Sequence, residues 1–236
     1  MDTKIIIINK DIAFAKELKH SLEEEDYEVE TAYTIKEAIE KIKNEGFELV
    51  ILDLILPDGN GLSLCKTIRK HSQVPIIIVS ERKEDSSKIR ALEYGADDYI
   101  TKPFNILELK ARIKAILRRV NMNTPLVDNQ TIKIDDFVIN TLGRKLTIKD
   151  ESINLTGKEF DLFYILASNP GRVFTREELL ETIWGYEHFG DLRTVDVHIR
   201  RLREKIEKSV DNTDYIHTKW GVGYYFNNKK ESAAVD

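Results

Sequence analysis

The chain has 236 residues, which is long enough for one large domain or two domains of ordinary size. Hydrophobic residues make up 42% and charged residues 33% of the chain, so a folded protein is expected rather than low-complexity disorder. The formal net charge of -5 excludes a wholly basic nucleic-acid coat, although a local basic surface is compatible with it.

Targeting and redox signals are few. A single cysteine, Cys65, excludes an internal disulfide framework and a multi-cysteine zinc site, and it is typical of a reducing cytoplasm. The apolar run at residues 5–8 is too short for a signal peptide, and no later run approaches the roughly 18 apolar residues of a membrane span. We therefore expect a cytoplasmic protein with no membrane partner.

Short apolar runs alternate with helical patterns in the first half of the chain. The runs are β-branched and unbroken, which is typical of strands buried on both faces. They occupy residues 5–8, 49–52 and 76–79, with residues 99–100 as a weaker fourth run, and residues 29–32 are expected to supply a fifth strand. Apolar residues at helical spacing lie between and after them, most clearly over residues 106–117. Five such repeats predict an α/β fold with a doubly wound, five-stranded parallel sheet.

Three polar residues follow strands of this predicted sheet. Asp53 comes directly after the third strand, Ser80 after the fourth and Lys102 after the fifth. The carboxyl ends of parallel strands meet at one edge of a sheet, where such folds bind ligands. A carboxylate is a competent nucleophile toward a phosphoryl group, which an ammonium and a hydroxyl would stabilise. Each residue alone would be an ordinary cap or surface group, but together they predict phosphate chemistry.

These segments resemble the receiver domain of two-component response regulators, which has a flavodoxin-like fold. The resemblance covers about residues 4–119 and is carried by DLILPDGNG at 53–61, PIIIVS at 75–80 and GADDYITKPF at 95–104. It implies that Asp53 accepts a phosphoryl group from a histidine kinase and that Lys102 binds the phosphate. It also implies that Ser80 is the switch hydroxyl and Tyr99 the switch aromatic residue.

One departure from the receiver pattern concerns the metal site. The family places two acidic residues after the first strand to hold Mg²⁺ with the acceptor aspartate, whereas this chain has Asn9, Lys10 and Asp11 there. We therefore expect no cofactor beyond weak Mg²⁺ binding through Asp11 and Asp53, and slow or absent phosphorylation. Either the Lys10 ammonium replaces the metal and pairs with Asp53, or Lys10 turns to solvent.

The second half of the chain has a different pattern. Residues 121–130 show no periodicity and are predicted to be a linker between a receiver domain at 1–120 and a second domain at 131–228, with a tail at 229–236. Short alternating strands are expected up to residue 154. Two helices then open with capping boxes, at Thr156 and Thr175, and a third covers about 191–208. A terminal hairpin at 215–226 completes a predicted winged helix-turn-helix, an α+β domain.

The third of these helices combines an apolar face with many basic residues. Val195, Ile199 and Leu202 share one face with Ile206, so this face is predicted to be buried. Between Arg193 and Lys205 five basic and two acidic residues give a local charge of +3. Arginine reaches phosphates and guanine edges, and small apolar side chains contact thymine methyl groups. The alternative, an ordinary solvated helix, is weakened by the hairpin that follows.

The second half resembles the winged-helix effector of the OmpR/PhoB family over about residues 131–227. The motifs are LTGKEF at 155–160, RVFTREELL at 172–180, RTVDVHIRRLR at 193–203 and GVGY at 221–224. The resemblance implies that the third helix enters the major groove and that the hairpin contacts the minor groove or backbone. The implied DNA-binding residues are Arg193, Thr194, Val197, His198, Arg200, Arg201, Arg203, Thr218, Lys219 and Trp220. The segment 184–192 corresponds to the loop that in the family can touch RNA polymerase.

Trp220 stands where the family commonly carries an arginine. We expect it to be a core or stacking residue rather than a groove reader, with Lys219 taking over the phosphate contact. The family also dimerises through the receiver. The corresponding surface residues here are Lys88, Ile89, Leu92, Glu93, Asp97, Asp98, Glu108, Arg112 and Arg119. Opposite charges would set the register, while Ile89 and Leu92 would supply apolar burial.

The favoured function is a DNA-binding transcriptional regulator that acts as a dimer and needs little or no phosphorylation. One alternative is a response regulator that depends fully on a histidine kinase. A phosphoryl-transfer enzyme on the same sheet is the alternative of another class, and the missing glycine-rich phosphate loop and acidic pair argue against it. We therefore expect that the protein is not an enzyme.

Overall fold

A computed structural model describes residues 3–120, 131–185, 192–207 and 215–227, with the backbone alone at 118–120 and 207. The chain divides into two compact units, Met1–Leu117 and Arg118–Asp236. The predicted linker at 121–130 and tail at 229–236 lie outside the described residues. The domain boundaries themselves stay a prediction.

The first unit is a five-stranded parallel sheet with helices between the strands, as predicted. The strands run in the order β2-β1-β3-β6-β7. The elements are β1 (Lys4–Ile8), α1 (Ile12–Glu23), β2 (Glu28–Ala32), α2 (Ile35–Asn44), β3 (Leu49–Leu52), β4 (Ile55–Leu56), β5 (Gly59–Asn60), α3 (Gly61–Arg69), β6 (Ile76–Ser80), α4 (Asp85–Glu93), β7 (Asp98–Thr101) and α5 (Ile106–Val120).

The core of this unit explains the unbroken apolar runs. Ile5 and Ile7 pack on one face of the sheet with the stripe of α5, including Leu109 and Ile113. Their neighbours in β1 are equally buried, because helices cover both faces of a doubly wound sheet. This packing brings the carboxyl ends of β1, β3, β6 and β7 to one edge.

In the residues that the structure describes, the second unit is an α+β domain built from two sheets and three helices. Its elements are β8 (Thr131–Ile134), β9 (Phe137–Asn140), β10 (Lys145–Ile148), β11 (Glu151–Ile153), α6 (Gly157–Ala167), β12 (Phe174–Thr175), α7 (Arg176–Trp184), α8 (Arg193–Glu207), β13 (Ile216–Lys219) and β14 (Gly223–Phe226). The antiparallel sheets have the orders β11-β10-β9-β8 and β12-β14-β13. The winged helix-turn-helix prediction is confirmed.

Local sequence signals account for the helix starts of this unit. Both capping boxes form: Thr156 caps α6 with Glu159, and Thr175 caps α7 with Glu178. The predicted apolar face of α8 is buried in a core centred on Phe137, together with β14 and α6. Within the described ranges, none of the helices is sufficiently long and apolar to cross a membrane.

Candidate phosphorylation and DNA-binding sites

Asp53 lies at the carboxyl edge of the parallel sheet, one residue after β3, and is 6% exposed. Its Oδ2 atom accepts from the Lys102 ammonium at 2.9 Å and from the Asn9 amide at 3.2 Å. The backbone N–H of Ile55 donates to Oδ1 at 3.1 Å. The structure therefore brings Asp53 and Lys102 together, as the motif spacing predicts.

The Lys102 ammonium is held from two sides. Besides Asp53, it lies 4.4 Å from the centroid of the Phe14 ring, which itself packs edge-on against Phe104. A desolvated ammonium over an aromatic face is stabilised by roughly 0.5–2 kcal/mol. The sequence does not single out Phe14, because its place in the α1 stripe identifies it only as a core residue. A cavity of about 580 Å³ adjoins the ammonium, lined by Phe14, Leu18, Pro103 and Phe104 among others.

The predicted switch pair lies at the next strand ends. Ser80 is fully buried at the end of β6, and its Oγ accepts from the Arg82 backbone N–H at 3.3 Å. The Tyr99 hydroxyl donates to the Arg82 carbonyl at 2.7 Å. Burial raises the pKa of the Tyr99 phenol above its ordinary value. The two side chains thus share the backbone of one residue, so movement of this loop would affect both.

The residues after β1 do not supply the expected cation or metal ligands. Lys10 is exposed, and the partner of Asp53 is Lys102, so the internal Lys10–Asp53 pair is not formed. Asp11 is also exposed and caps α1, with Oδ1 accepting from the Phe14 N–H at 3.1 Å. Asn9 turns its amide N–H toward Asp53 and its Oδ1 toward the Asp11 N–H.

This donor set does not fit a resident Mg²⁺ ion. Mg²⁺ prefers several hard oxygen ligands in octahedral geometry. Among the described residues at the ends of β1, β3, β6 and β7, Asp53 supplies the carboxylate of the pocket. The Asn9 side chain faces this carboxylate with its amide N–H rather than with its oxygen. No cluster of three metal-ligating side chains occurs within the described ranges. Ligation of Mg²⁺ by Asp11 stays a prediction: this carboxylate is exposed, and its Oδ1 atom is engaged in capping α1.

The predicted dimer surface needs correction at several positions. Asp97 is 1% exposed and pairs with Arg69 at 2.7 Å, and Leu92 is 2% exposed, so neither lies on the surface. The buried Asp98 accepts from Arg112 at 2.8 Å within the same chain. Lys88, Ile89, Glu93 and Glu108 are partly exposed, and the side chain of Arg119 is outside the described residues.

Arg112 belongs to an internal network rather than to a free surface. Its guanidinium contacts both Asp98 and Glu108, at 2.8 and 2.7 Å. Burial alone would lower the pKa of Arg112, but these two carboxylates outweigh it and raise the pKa. A dimer contact by Arg112 would therefore compete with a pairing already satisfied inside one chain.

The basic residues of α8 divide into exposed and structural ones. Arg193 and Arg200 are exposed, whereas Thr194 and Val197 are nearly covered. Arg203 donates to the Ile216 carbonyl at 2.8 Å and so fastens the hairpin to the helix. These contacts separate the arginines that are available to a nucleic acid from those that hold the domain together.

Arg201 and Lys205 share a buried carboxylate. Glu159 of α6 is fully buried, at 2.8 Å from the Arg201 guanidinium and 2.7 Å from the Lys205 ammonium. Burial would raise the pKa of Glu159, but the two cations lower it overall. The sequence identified Glu159 only as a capping residue, and Arg201 only as a DNA-binding one.

His198 was predicted to bind DNA, and the structure contradicts this. The ring is fully buried and lies 5.1 Å from the Trp184 ring. Its Nδ1 atom is 2.9 Å from the Thr194 carbonyl, which only accepts, so Nδ1 carries the proton. Burial and the neighbouring Arg201 lower the pKa of His198 to about 3. A neutral, enclosed imidazole packs the core and does not reach phosphate.

The tip of the hairpin is exposed. Lys219 and Trp220 both face solvent, and Trp220 is 89% exposed, so it is not a core residue, while its role as a stacking residue stays a prediction. Thr218 accepts from Arg203 at 2.9 Å and belongs to the base of the wing. The loop predicted to touch RNA polymerase falls largely at 186–191, outside the described residues.

The comparisons with known proteins cover both units of the chain. Residues 5–114 match the family model "Response regulator receiver domain", and residues 150–226 match "Transcriptional regulatory protein, C terminal". DrrB, a Thermotoga maritima OmpR/PhoB homologue, is 35% identical over 97% of this chain and 100% of its own, with a TM-score of 0.52. A C128D mutant of RitR is 28% identical over 96% and 99%, with a TM-score of 0.74. A two-component response regulator from Clostridium difficile is 44% identical over 51% and 99%, with a TM-score of 0.50.

An aspartate beside a lysine at a parallel-sheet edge, joined in one chain to a winged helix, is the arrangement of a two-component response regulator with a DNA-binding domain rather than of an enzyme. The chain belongs to the OmpR/PhoB family of response regulators. Receiver domains of this class generally bind Mg²⁺ at the phosphorylation site.

Proposed function

We propose that this protein is a transcriptional regulator in which phosphorylation of Asp53 is weak or dispensable. One observation carries the proposal: the acceptor carboxylate is accompanied by Asn9 and an exposed Lys10 instead of two acidic residues. Phosphoryl transfer needs a cation to neutralise the developing charge on the phosphoryl oxygens. Lys102 is then the nearby cation, without a metal ion held by two acidic residues. Attack by Asp53 on the phosphoryl group and departure of the donor's leaving group are therefore slow.

The test is intact mass after incubation with acetyl phosphate and Mg²⁺. We expect little or no gain of one phosphoryl group in the wild-type chain and none in D53N. The double variant N9D/K10D returns two carboxylates to the metal position, so it should gain the phosphoryl group faster. Rapid, complete modification of the wild-type chain would instead support the alternative, a regulator that depends fully on a histidine kinase.

We further propose that the protein binds double-stranded DNA as a homodimer in the cytoplasm. The exposed Arg193 and Arg200 on α8 and Lys219 on the wing support DNA binding by the second unit. The partly exposed Lys88, Ile89, Glu93 and Glu108 are the candidate receiver contacts. A two-fold dimer implies two half-sites about one helical turn apart. RNA polymerase would be a further partner.

DNA binding is tested by selecting duplexes from a random library with the unphosphorylated full-length chain. We expect enrichment of a repeated half-site, protected as a pair in a footprint, and a dimeric mass in solution. R200A should weaken binding to all duplexes and reduce the salt slope by about 1, because one phosphate contact is lost. No enriched sequence with unmodified protein, but enrichment after phosphorylation, would refute independence from phosphate.

A further inference from the structure

Trp220 combines near-complete exposure with a fixed position. Among the described residues it is the most exposed large hydrophobic side chain, at 89%, and Val222 two residues later is 43% exposed. Burying an indole stabilises a fold through a large apolar area, and here almost none of that area is used. The side chain is therefore available for a contact outside the domain.

The backbone beneath Trp220 is held rigidly. The turn closes with a hydrogen bond from the Val222 N–H to the Lys219 carbonyl at 3.0 Å, and Gly221 adopts φ of +73°, which favours glycine. The hairpin is paired from Ile216–Phe226 up to Lys219–Gly223. A Cβ atom at Gly223 would collide with the Phe174 carbonyl, so the strand also packs closely on β12.

The wing is tied to the helix that carries the exposed arginines. Arg203 of α8 holds the Ile216 carbonyl and the Thr218 hydroxyl. The Tyr224 hydroxyl donates to Asp196 of the same helix at 2.6 Å. A duplex in contact with α8 therefore meets a wing of defined position, whose tip carries the exposed indole of Trp220 and, one residue earlier in the chain, the exposed Lys219.

We infer that Trp220 makes an apolar contact in the DNA minor groove; the inference rests on the proposed DNA binding. Deoxyribose edges form the apolar walls of this groove, with phosphates at its rim, so an exposed indole that follows an exposed lysine in the chain matches its chemistry. Arginine at a wing tip favours the narrow, strongly negative groove of A-tracts. An uncharged indole gains nothing from that negative potential. Its contact is most favourable at pyrimidine–purine steps, where neighbouring base pairs unstack easily. Trp220 thus selects deformable DNA beside the recognition helix.

The test uses the full-length chain and a duplex selected from a random library by the wild-type protein. W220A should bind roughly tenfold more weakly, in line with aromatic–nucleic acid contacts, with an unchanged salt slope. K219A should instead lower the salt slope by about 1. W220R should shift preference from a TA step toward an A-tract under the wing. L142A, which removes an exposed apolar side chain elsewhere in the domain, is the matched control and should bind normally.

Fluorescence gives a second readout. Trp184 is buried, so acrylamide quenching reports Trp220, and DNA should protect it. Equal affinity of W220A and wild type, with Trp220 still quenched in the complex, would overturn the inference while leaving DNA binding intact. Protection on dimerisation without DNA would overturn it in favour of a second copy. Failure of the wild-type chain to bind any duplex would remove the proposed DNA binding itself.

Discussion

Each unit of the chain holds a buried carboxylate against cations, but the two are built differently. Asp53 has one ammonium, one amide and an edge position where the sheet opens. Glu159 has a guanidinium, an ammonium and a backbone N–H, and no exposed surface. The first arrangement leaves Asp53 slightly exposed, at 6%. The second encloses the carboxylate completely and joins α6 to α8, so the two clusters differ in access as well as in their cations.

The largest expected effect comes from E159Q, because it leaves Arg201 and Lys205 without their counter-charge. We expect the free energy of unfolding of the second unit to fall by about 3–5 kcal/mol. Both tryptophans lie in this unit, so urea unfolding of the full chain followed by their emission measures it.

Glu178 supplies a matched control for this prediction. It occupies the same capping-box position in α7, but it is partly exposed and its cation, Arg172, is 3.5 Å away. E178Q should cost no more than about 1 kcal/mol. Equal losses in the two variants would show that the capping box, rather than the buried ion cluster, accounts for the effect.

The second largest expected effect is a pH dependence of the stability of the second unit, which comes from the neutral His198. Its pKa is about 3 in the folded state against 6.5 for an ordinary histidine, so the unfolded chain binds more protons between these values. Stability is fully present above pH 6.5 and falls as the pH decreases toward 3. Between pH 7 and pH 5 we expect the second unit to lose about 2 kcal/mol.

His198→Phe removes this titration and keeps an aromatic ring beside Trp184. Its stability should be nearly flat between pH 7 and pH 5, whatever its absolute value. The lowered pKa of Glu159 acts below its ordinary value of 4.5, so it does not interfere in this window. A slope in the variant as steep as in the wild type would assign the pH dependence to other groups.

Most of the fold was predictable, since its signals are local or periodic. Unbroken β-branched runs identify strands covered on both faces, and the capping boxes at Thr156 and Thr175 fix two helix starts. The meeting of Asp53 with Lys102 also followed, because parallel strands end at a common edge.

Partner choice among the charged residues was not predictable. Arg200 and Arg201 are neighbours of identical chemistry, yet Arg200 is exposed and pairs with Glu204 of its own helix, whereas Arg201 faces a buried carboxylate 42 residues earlier, on α6. Helical spacing places Arg201 next to the buried apolar stripe of α8, but it does not predict that the Glu159 carboxylate lies opposite. Asp97 and Leu92 were assigned to a surface for the same reason: family position indicates a face, while burial depends on Arg69 and the packing of α4.

The smallest expected effect on stability is that of substituting Lys10, and it tests which cation pairs with Asp53. Because its side chain is exposed while Lys102 holds Asp53, K10A should change the stability of the first unit by less than about 0.5 kcal/mol. K102A leaves Asp53 without its cation and should cost about 1–3 kcal/mol. Hydrogen exchange of the amides in β1 and β3 measures both, since buried central strands exchange through global opening. If K10A instead matched K102A, or altered dimerisation and DNA affinity, Lys10 would have to turn inward and act as the internal cation that the sequence alone left open.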